Sequence, residues 1–226
     1  MTWLIAAVLL ADPQMAAVQA APNVCEVVAA EVQTGSLLLS RGDCLAVRVY
    51  TKSSYTHVGA VVLRDGKPYV YDSMNGKGVR CLPLADYLEH QTPCELHLFH
   101  PCKAFSPQRV EKFEWYLESQ RGRPYAFKHH VTGQRANGIH CSEYVTDALI
   151  ACDVVRADQP ARVSPASLVA GITRHDLYKT GSRFELAIAE PVSDRTQQSW
   201  CSRTWEDTKR CTSKCFSKLT ALFCCK

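Results

Sequence analysis

The sequence has no continuous apolar run of the roughly 18 residues that a helix needs to span a bilayer. It also has no internal repeat, which argues against a solenoid or propeller. Its basic excess is small and local. The chain has a net charge of +4, and residues 201–226 have six basic and two acidic residues, so the rest is neutral. This charge distribution gives no support for nucleic-acid binding.

The composition is that of a globular protein. Of 226 residues, 46% are hydrophobic and 21% charged, which fits one domain with appendages. Strand-like runs before residue 100 and helix-like runs after it predict an α+β fold. We predict a domain over residues 38–195, an N-terminal segment over 1–37 and a tail over 196–226. The clearest expected elements are a strand at Glu95–His100 and helices at Ser106–Gln120, Cys141–Cys152 and Pro165–Gly171, the last capped by Ser164.

Cys141 stands at the start of one predicted helix. The apolar residues after it recur at three- and four-residue spacing, which predicts a helix with one buried face: Tyr144, Val145, Ala148, Leu149 and Cys152. The first turn of a helix has unpaired backbone N–H groups and the positive end of the dipole, and both favour an anion. With an imidazolium nearby, such a thiol ionises readily and becomes a nucleophile. The alternative is that Cys141 is a small buried apolar residue.

A histidine and an aspartate lie in a predicted hairpin upstream. Thr56-His57-Val58-Gly59 opens one β-rich run, Asp65-Gly66 lies in the turn, and Asp72 lies near the end of the second run. The two ends are neighbours in an antiparallel pair, so Asp72 could orient the His57 ring. The alternatives are a strand-end histidine bound to a backbone carbonyl and an ordinary turn aspartate.

Four short motifs together resemble a known family: Gly42-Asp43, Thr56-His57-Val58-Gly59, Gly122-Arg123-Pro124-Tyr125 and Cys141-Ser142-Glu143. Their order, with the histidine before the cysteine, resembles the circularly permuted branch of the NlpC-type papain-like cysteine peptidases, which includes the YiiX/YaeF-like amidases. Residues 163–168 are similar to the segment that follows the cysteine helix there. The resemblance covers roughly residues 38–175. It implies a permuted papain-like fold in which an antiparallel sheet packs against the helix with the nucleophile.

The resemblance also implies residue roles. Cys141 corresponds to the nucleophile, His57 to the general base and Asp72 to the third, polar residue. Tyr125 matches a pocket tyrosine that could stabilise an oxyanion. Ala126 stands where many relatives have an acidic residue, and His140 replaces an aromatic or aliphatic one. We expect acyl transfer through an acyl-enzyme, with no cofactor and no metal ion.

The N-terminal segment leaves the cellular location open. Trp3 to Leu10 is apolar, and Val18-Gln19-Ala20 could be a cleavage site, as in a signal peptide. However, the start has no positive charge and Asp12-Pro13 interrupts the run. Secreted, periplasmic, peripheral-membrane and cytoplasmic locations are all compatible with the sequence. Export would make four cysteines candidates for disulfides, and a cytosolic location would leave them reduced: Cys44, Cys81, Cys94 and Cys102.

The tail contains five of the twelve cysteines. Cys211, Cys215, Leu219 and Leu222 recur at helical spacing among lysines, which predicts a basic amphipathic helix that could contact a membrane and be S-acylated. Cys211, Cys215, Cys224 and Cys225 are therefore candidates for lipidation or disulfides. A zinc site fits these spacings poorly. A disulfide-tied or partly disordered extension is the other alternative.

Three functions are compatible with the sequence. The first is a cysteine hydrolase that cleaves an amide in a peptide, a peptidoglycan fragment or an amino-acid amide. The second is a lipid-directed acyltransferase or deacylase of the lecithin:retinol acyltransferase-like type, acting at a membrane surface. The third is a non-catalytic, disulfide-stabilised binding domain.

Overall fold

Short runs of alternating apolar residues form the strands of a single antiparallel sheet. The computed structural model describes residues 23–41, 54–92, 94–126, 132–135 and 137–186. The elements follow in the order α1 (Val24–Glu31), β1 (Leu37–Arg41), β2 (His57–Arg64), β3 (Lys67–Met74), β4 (Gly78–Pro83), α2 (Leu84–Gln91), β5 (Cys94–Pro101), α3 (Pro107–Ser119), α4 (Cys141–Ala151), α5 (Pro165–Arg174) and β6 (Tyr178–Leu186). A 3₁₀ turn at Pro160–Arg162 precedes α5.

The six strands lie in the order β4-β3-β2-β1-β5-β6, and every neighbouring pair is antiparallel. The short strand β1 is central. Its Leu38 pairs with Gly59 of β2 on one side and with Leu98 of β5 on the other. The sheet thereby joins the hairpin that contains His57 to the second half of the domain. The structure is α+β, as the sequence predicts.

Helices cover both faces of the sheet, because successive strand side chains point to opposite sides. On one face, Leu37, Leu39, Val58, Ala60 and Tyr71 pack against α3, α4 and α5. On the other face, α1 and α2 pack against the residues in between: Leu38, Val61, Val70, Leu96 and Leu98. Val28 of α1 is completely buried, so the folded unit extends N-terminally of residue 38.

The predicted hairpin is confirmed. β2 and β3 are joined by Asp65 and Gly66, which have φ values of 50° and 74°. This left-handed pair matches the twist of the flanking strands. The strand at residues 95–100 and the helices that start near 107, 141 and 165 are also present. Ser164 caps the last of these helices through a capping box with Ser167.

Some elements differ from the sequence pattern. Helix α5 continues past Gly171 to Arg174, because Ile172 is 1% exposed and anchors its last turn in the core. Residues 141–149 of α4, about two and a half turns, are buried on all sides rather than on one, since polar residues such as Glu143 and Asp147 are covered as well. The Gly42-Asp43 motif lies outside the described residues. No described helix has the length and apolar character needed to cross a membrane.

Candidate functional site

Cys141 is the first residue of α4 and is 5% exposed. The backbone of His140 is extended, and its side chain caps the helix by accepting the Glu143 N–H at Nδ1, 3.3 Å away. The helix therefore begins at the thiol, as the sequence predicts. The dipole and the free N–H groups of the first turn favour the thiolate over the thiol.

His57 and Asp72 meet at one end of the hairpin. The register pairs Ala60 with Tyr71, so the start of β2 lies beside the end of β3. His57 Nε2 lies 2.9 Å from Asp72 Oδ2, and the aspartate side chain is completely buried. A carboxylate can only accept, so Nε2–H is the donor. This leaves Nδ1 of His57 for the thiol of Cys141, and the two groups are close enough to shift each other's pKa.

Arg80, on the neighbouring strand β4, fixes Asp72. Its guanidinium Nε donates to Asp72 Oδ1 at 2.8 Å and its Nη2 to Oδ2 at 3.1 Å. Burial raises the pKa of Asp72, but the hydrogen bonds and charges of His57 and Arg80 outweigh burial and hold that pKa below its usual value. Asp72 is therefore an ionised acceptor with a fixed position, which is what orienting a histidine tautomer requires.

The thiol and the imidazole shift each other's pKa. Burial alone would raise the pKa of Cys141, but the charge of His57 and the hydrogen bonds from His140 and His57 lower it below its ordinary value. Burial alone would lower the pKa of His57, but the charge of Cys141 and the hydrogen bond to Asp72 raise it. Both shifts favour a thiolate–imidazolium pair.

His140 is a buried part of the site that the sequence identified only as a departure from the family pattern. Its ring is 3% exposed, and Nε2–H donates to the Ala161 carbonyl at 2.8 Å. Burial lowers the pKa of His140, while the hydrogen bond and charge of Cys141 raise it above its usual value. The ring thus caps the helix N-terminus, and its charge favours the thiolate of Cys141. No sequence pattern predicts this, because the residues it contacts are distant in sequence or follow it on the helix.

The start of α4 is also bound to the segment that precedes α5. Ser142 Oγ donates to the Val163 carbonyl at 2.6 Å. On the opposite flank, Arg135 Nη2 donates to Asp147 Oδ1 at 2.6 Å, and its Nε lies 3.5 Å from a Glu143 carboxylate oxygen. These contacts hold the segments on either side of the helix N-terminus, and thus hold the thiol in place.

The other predicted site residues are Tyr125 and the cysteines, and several of these lie outside the described residues. Tyr125 is half-buried, and the backbone beside it contacts the segment before Cys141, since Ile139 N–H donates to the Pro124 carbonyl at 2.9 Å. Its oxyanion role stays a prediction. Four tail cysteines lie outside the described residues: Cys211, Cys215, Cys224 and Cys225. Cys44 does too, whereas Cys81, Cys94 and Cys102 have free thiols.

Sequence reasoning missed Arg80 because no motif surrounds it. Its signal is the register of β3 and β4, which pairs Asp72 with Arg80 directly. That register cannot be inferred without knowing that β4 exists. In the described part of the chain, no group of three or more histidine, cysteine, aspartate or glutamate side chains is placed to hold a metal ion.

Comparison with known proteins finds similarity to YiiX both by sequence and among solved structures. No protein-family model matches the chain. The uncharacterised protein YiiX of Escherichia coli K12 is 27% identical over 116 residues, which are 50% of this chain and 55% of YiiX, so the match spans about half the length of that relative. The crystal structure of the metalloprotein yiiX from Escherichia coli O157:H7 superposes with a TM-score of 0.55 at 19% identity, over 68% of this chain and 98% of that one. By sequence and by fold, the chain is thus related to YiiX.

Proposed function

We propose that the protein is a cysteine-dependent hydrolase of the amidase or peptidase type, with Cys141 as nucleophile, His57 as general base and Asp72 as the residue that orients it. One observation supports this most strongly. A thiol at a helix N-terminus lies near an imidazole whose Nε2 donates to a buried, Arg80-bound carboxylate, and the thiol and imidazole shift each other's pKa toward the charged pair. Covalent acyl transfer requires a nucleophile beside a general base and a third group that orients the base, and these three residues are arranged in that order.

The reaction proceeds in two steps. The Cys141 thiolate attacks the substrate carbonyl carbon, and the C=O electron pair moves to oxygen. As the tetrahedral intermediate collapses, the C–N bond breaks and the imidazolium of His57 gives its proton to the leaving amine. Neutral His57 then takes a proton from water, which attacks the thioester. Release of the acid restores the thiolate–imidazolium pair.

The oxyanion of each intermediate would lie at the N-terminus of α4. The first N–H groups of a helix have no partner within the helix, and they point out of its N-terminal end. The N–H of Glu143 is already bound to His140, and that of Tyr144 to the His140 carbonyl. The backbone N–H groups of Cys141 and Ser142 are therefore the candidate donors, with the Tyr125 hydroxyl as a third.

The finer fold interpretation belongs to the same proposal. We infer a permuted papain-like arrangement of the NlpC type, since the nucleophile starts a helix that packs on the strands with the histidine and the third polar residue. The histidine precedes the cysteine in sequence, as the permuted order requires. The lipid-directed alternative depends on the tail, which lies outside the described residues.

The related yiiX structure is that of a metalloprotein. In this chain, the side chains around Cys141 do not match the requirements of a metal site. Around the thiol, both nitrogens of His140 and Nε2 of His57 have hydrogen-bond partners. Of these groups, only the Cys141 sulfur and His57 Nδ1 remain as donors, whereas a zinc site takes three or four protein ligands. Asp72 already binds His57 and Arg80. The donor set at this site therefore does not fit a metal ion, and no step of the proposed reaction uses one.

Site-resolved thiol labelling tests the proposal. The protein would be treated briefly with iodoacetamide at pH 6, and the labelled cysteines identified by mass spectrometry. We expect Cys141 to react although it is buried, and exposed Cys102 to react far less, because the charge of His57 and the hydrogen bonds at the start of α4 stabilise the Cys141 thiolate. Cys152, buried at the C-cap of the same helix with a pKa raised by burial to about 11, is the matched internal control and should stay unlabelled.

Turnover then separates the substrate classes. Peptidoglycan fragments, amino-acid amides and acyl lipids would be incubated with the wild type and with Cys141→Ala. Amide cleavage that depends on Cys141 supports the proposal. Turnover of lipids alone would favour the acyltransferase alternative, and preferential labelling of Cys102 at pH 6 would favour the non-catalytic one.

A further inference from the structure

A cavity lies between α4 and α5, apart from the thiol site. Its volume is about 650 Å³, and its lining includes neither Cys141, His57 nor Asp72. Small-molecule sites in proteins typically have volumes of roughly 300–1,000 Å³. The cavity is thus large enough for a ligand of moderate size, and the proposed hydrolase reaction gives it no role.

Most of the cavity wall is apolar. Side chains from α4, from the segment after it and from α5 provide this surface: Ile150, Val154, Val163, Leu168, Ile172 and Leu177. A mostly apolar wall with a few placed polar groups is typical of ligand sites. The body of a matching ligand is therefore apolar.

One polar group lies deep in this wall. Thr146, on α4, lines the cavity and is 2% exposed, and its hydroxyl has no hydrogen-bond partner among the residues that the structure describes. Buried hydroxyl groups in proteins are nearly always hydrogen-bonded. The position of Thr146 thus points to a ligand with a hydrogen-bonding group at its buried end.

The rim favours a negative charge. Asp153 is the acidic residue of the lining, and it is already bound by Lys112, with Nζ 2.7 Å from Oδ2. Arg109 adds a further bond to the Asp153 carbonyl. Exposed Arg156 and His175 also lie on the lining. Because Lys112 compensates the charge of Asp153, the guanidinium of Arg156 is suited to bind the carboxylate of a ligand.

We propose that this cavity binds an amphipathic carboxylate: an apolar chain with its carboxylate at Arg156 and a hydroxyl or carbonyl near its other end that meets Thr146. The site is separate from Cys141, and its occupancy does not depend on the thiol. It is nevertheless close to the catalytic helix in the fold, because Ser142 donates to the carbonyl of Val163, a residue of the cavity wall. A bound ligand would contact both α4 and the segment that holds its N-terminus.

Isothermal titration calorimetry with 10-hydroxydecanoate and decanoate tests this on the full chain. We expect both to bind, the hydroxy acid more tightly, and decan-1-ol to bind more weakly than decanoate. Thr146→Val should remove the preference for the hydroxy acid. Arg156→Gln should weaken both acids roughly tenfold, because a charge-assisted bond is lost, and should leave decan-1-ol unchanged.

Gly171 is a position from which an added side chain can fill the cavity. It lines the cavity, and a Cβ built there meets no atom within 4 Å. Gly171→Leu should abolish binding of both acids, whereas the matched Gly171→Ala should retain it, and thermal unfolding would show that both fold. Cys141→Ala should bind as the wild type does.

Three results would overturn the proposal. These are no binding by the wild type at roughly millimolar ligand, binding unaffected by Gly171→Leu, and binding lost in Cys141→Ala. The last would place the ligand at the thiol. Because labelling of Cys141 at pH 6 is measured without any carboxylate, failure of the cavity proposal and failure of the hydrolase proposal are distinguishable.

Discussion

Removing the imidazole of His57 should raise the pKa of Cys141 by more than one unit. A full charge about 4 Å away at an effective dielectric constant of about 20 is worth roughly 4 kcal/mol, which is equivalent to about three pKa units. A helix N-terminus supplies only about 0.3–1 kcal/mol. Burial opposes both effects, since the thiol is 5% exposed. In His57→Ala the thiol stays buried, but it loses the positive charge that mainly offsets the effect of burial on its pKa.

The assay is the rate of iodoacetamide labelling of Cys141 as a function of pH, resolved by mass spectrometry. The midpoint should move up by more than one pH unit in His57→Ala. His90→Ala, which removes an exposed histidine on α2, serves as the matched control and should leave the midpoint unchanged. An unchanged midpoint in His57→Ala would refute the assignment of His57 and leave the helix terminus and His140 as the sources of any thiolate.

Three further outcomes follow from the same geometry. The ordinary pKa values are 9.0 for the thiol and 6.5 for the imidazole. Because the thiol value is lowered and the imidazole value raised, kcat/KM should be bell-shaped, with its acid limb below pH 9.0 and its alkaline limb above pH 6.5. Arg80→Ala removes one partner of a buried ion pair and should cost about 3 kcal/mol in urea unfolding, against less than about 1 kcal/mol for exposed Arg121→Ala; equal costs would contradict the buried role. Gly78→Ala should destabilise the protein by about 1–3 kcal/mol more than Gly76→Ala. Both glycines have positive φ, but only at Gly78 would a Cβ overlap the Arg123 carbonyl oxygen, and equal melting temperatures would count against this packing.

Parts of the fold could be predicted because their signals are local. The hairpin has Asp65-Gly66 between two β-rich runs, and α5 has Ser164-Pro165 at its start. β6 could not be predicted in the same way. It is an edge strand whose inner residues, from Lys179 to Arg183, are mostly exposed and polar, so no apolar alternation marks it. Its place in the sheet depends on pairing with β5, which lies more than 75 residues upstream.

The candidate site likewise contains residues that could be predicted from local patterns and residues that could not. Cys141 and His57 were identifiable because a helix start and a strand start have recognisable patterns. Asp72 followed from the rule that hairpin ends are neighbours. The residues that complete the site come from pairings that no local pattern encodes: Arg80 reaches Asp72 across β3 and β4, and the His140 ring reaches the Ala161 carbonyl 21 residues away.

The thiolate depends on tertiary structure. In separate model compounds the imidazole would lose its proton at pH 6.5 before the thiol ionised at pH 9.0, so the charged pair would not form. For the thiol to ionise at a lower pH than the imidazolium, the start of α4, the start of β2 and the end of β3 must meet, and β4 must provide Arg80 for Asp72. Because Asp72 is completely buried, its charge is stable only while Arg80 and His57 hold it. On the proposed function, the reactivity of Cys141 at acidic pH is a property of the assembled sheet and helix. Arg80 is bonded to Asp72. A change at Arg80 should therefore alter that reactivity through Asp72 and His57.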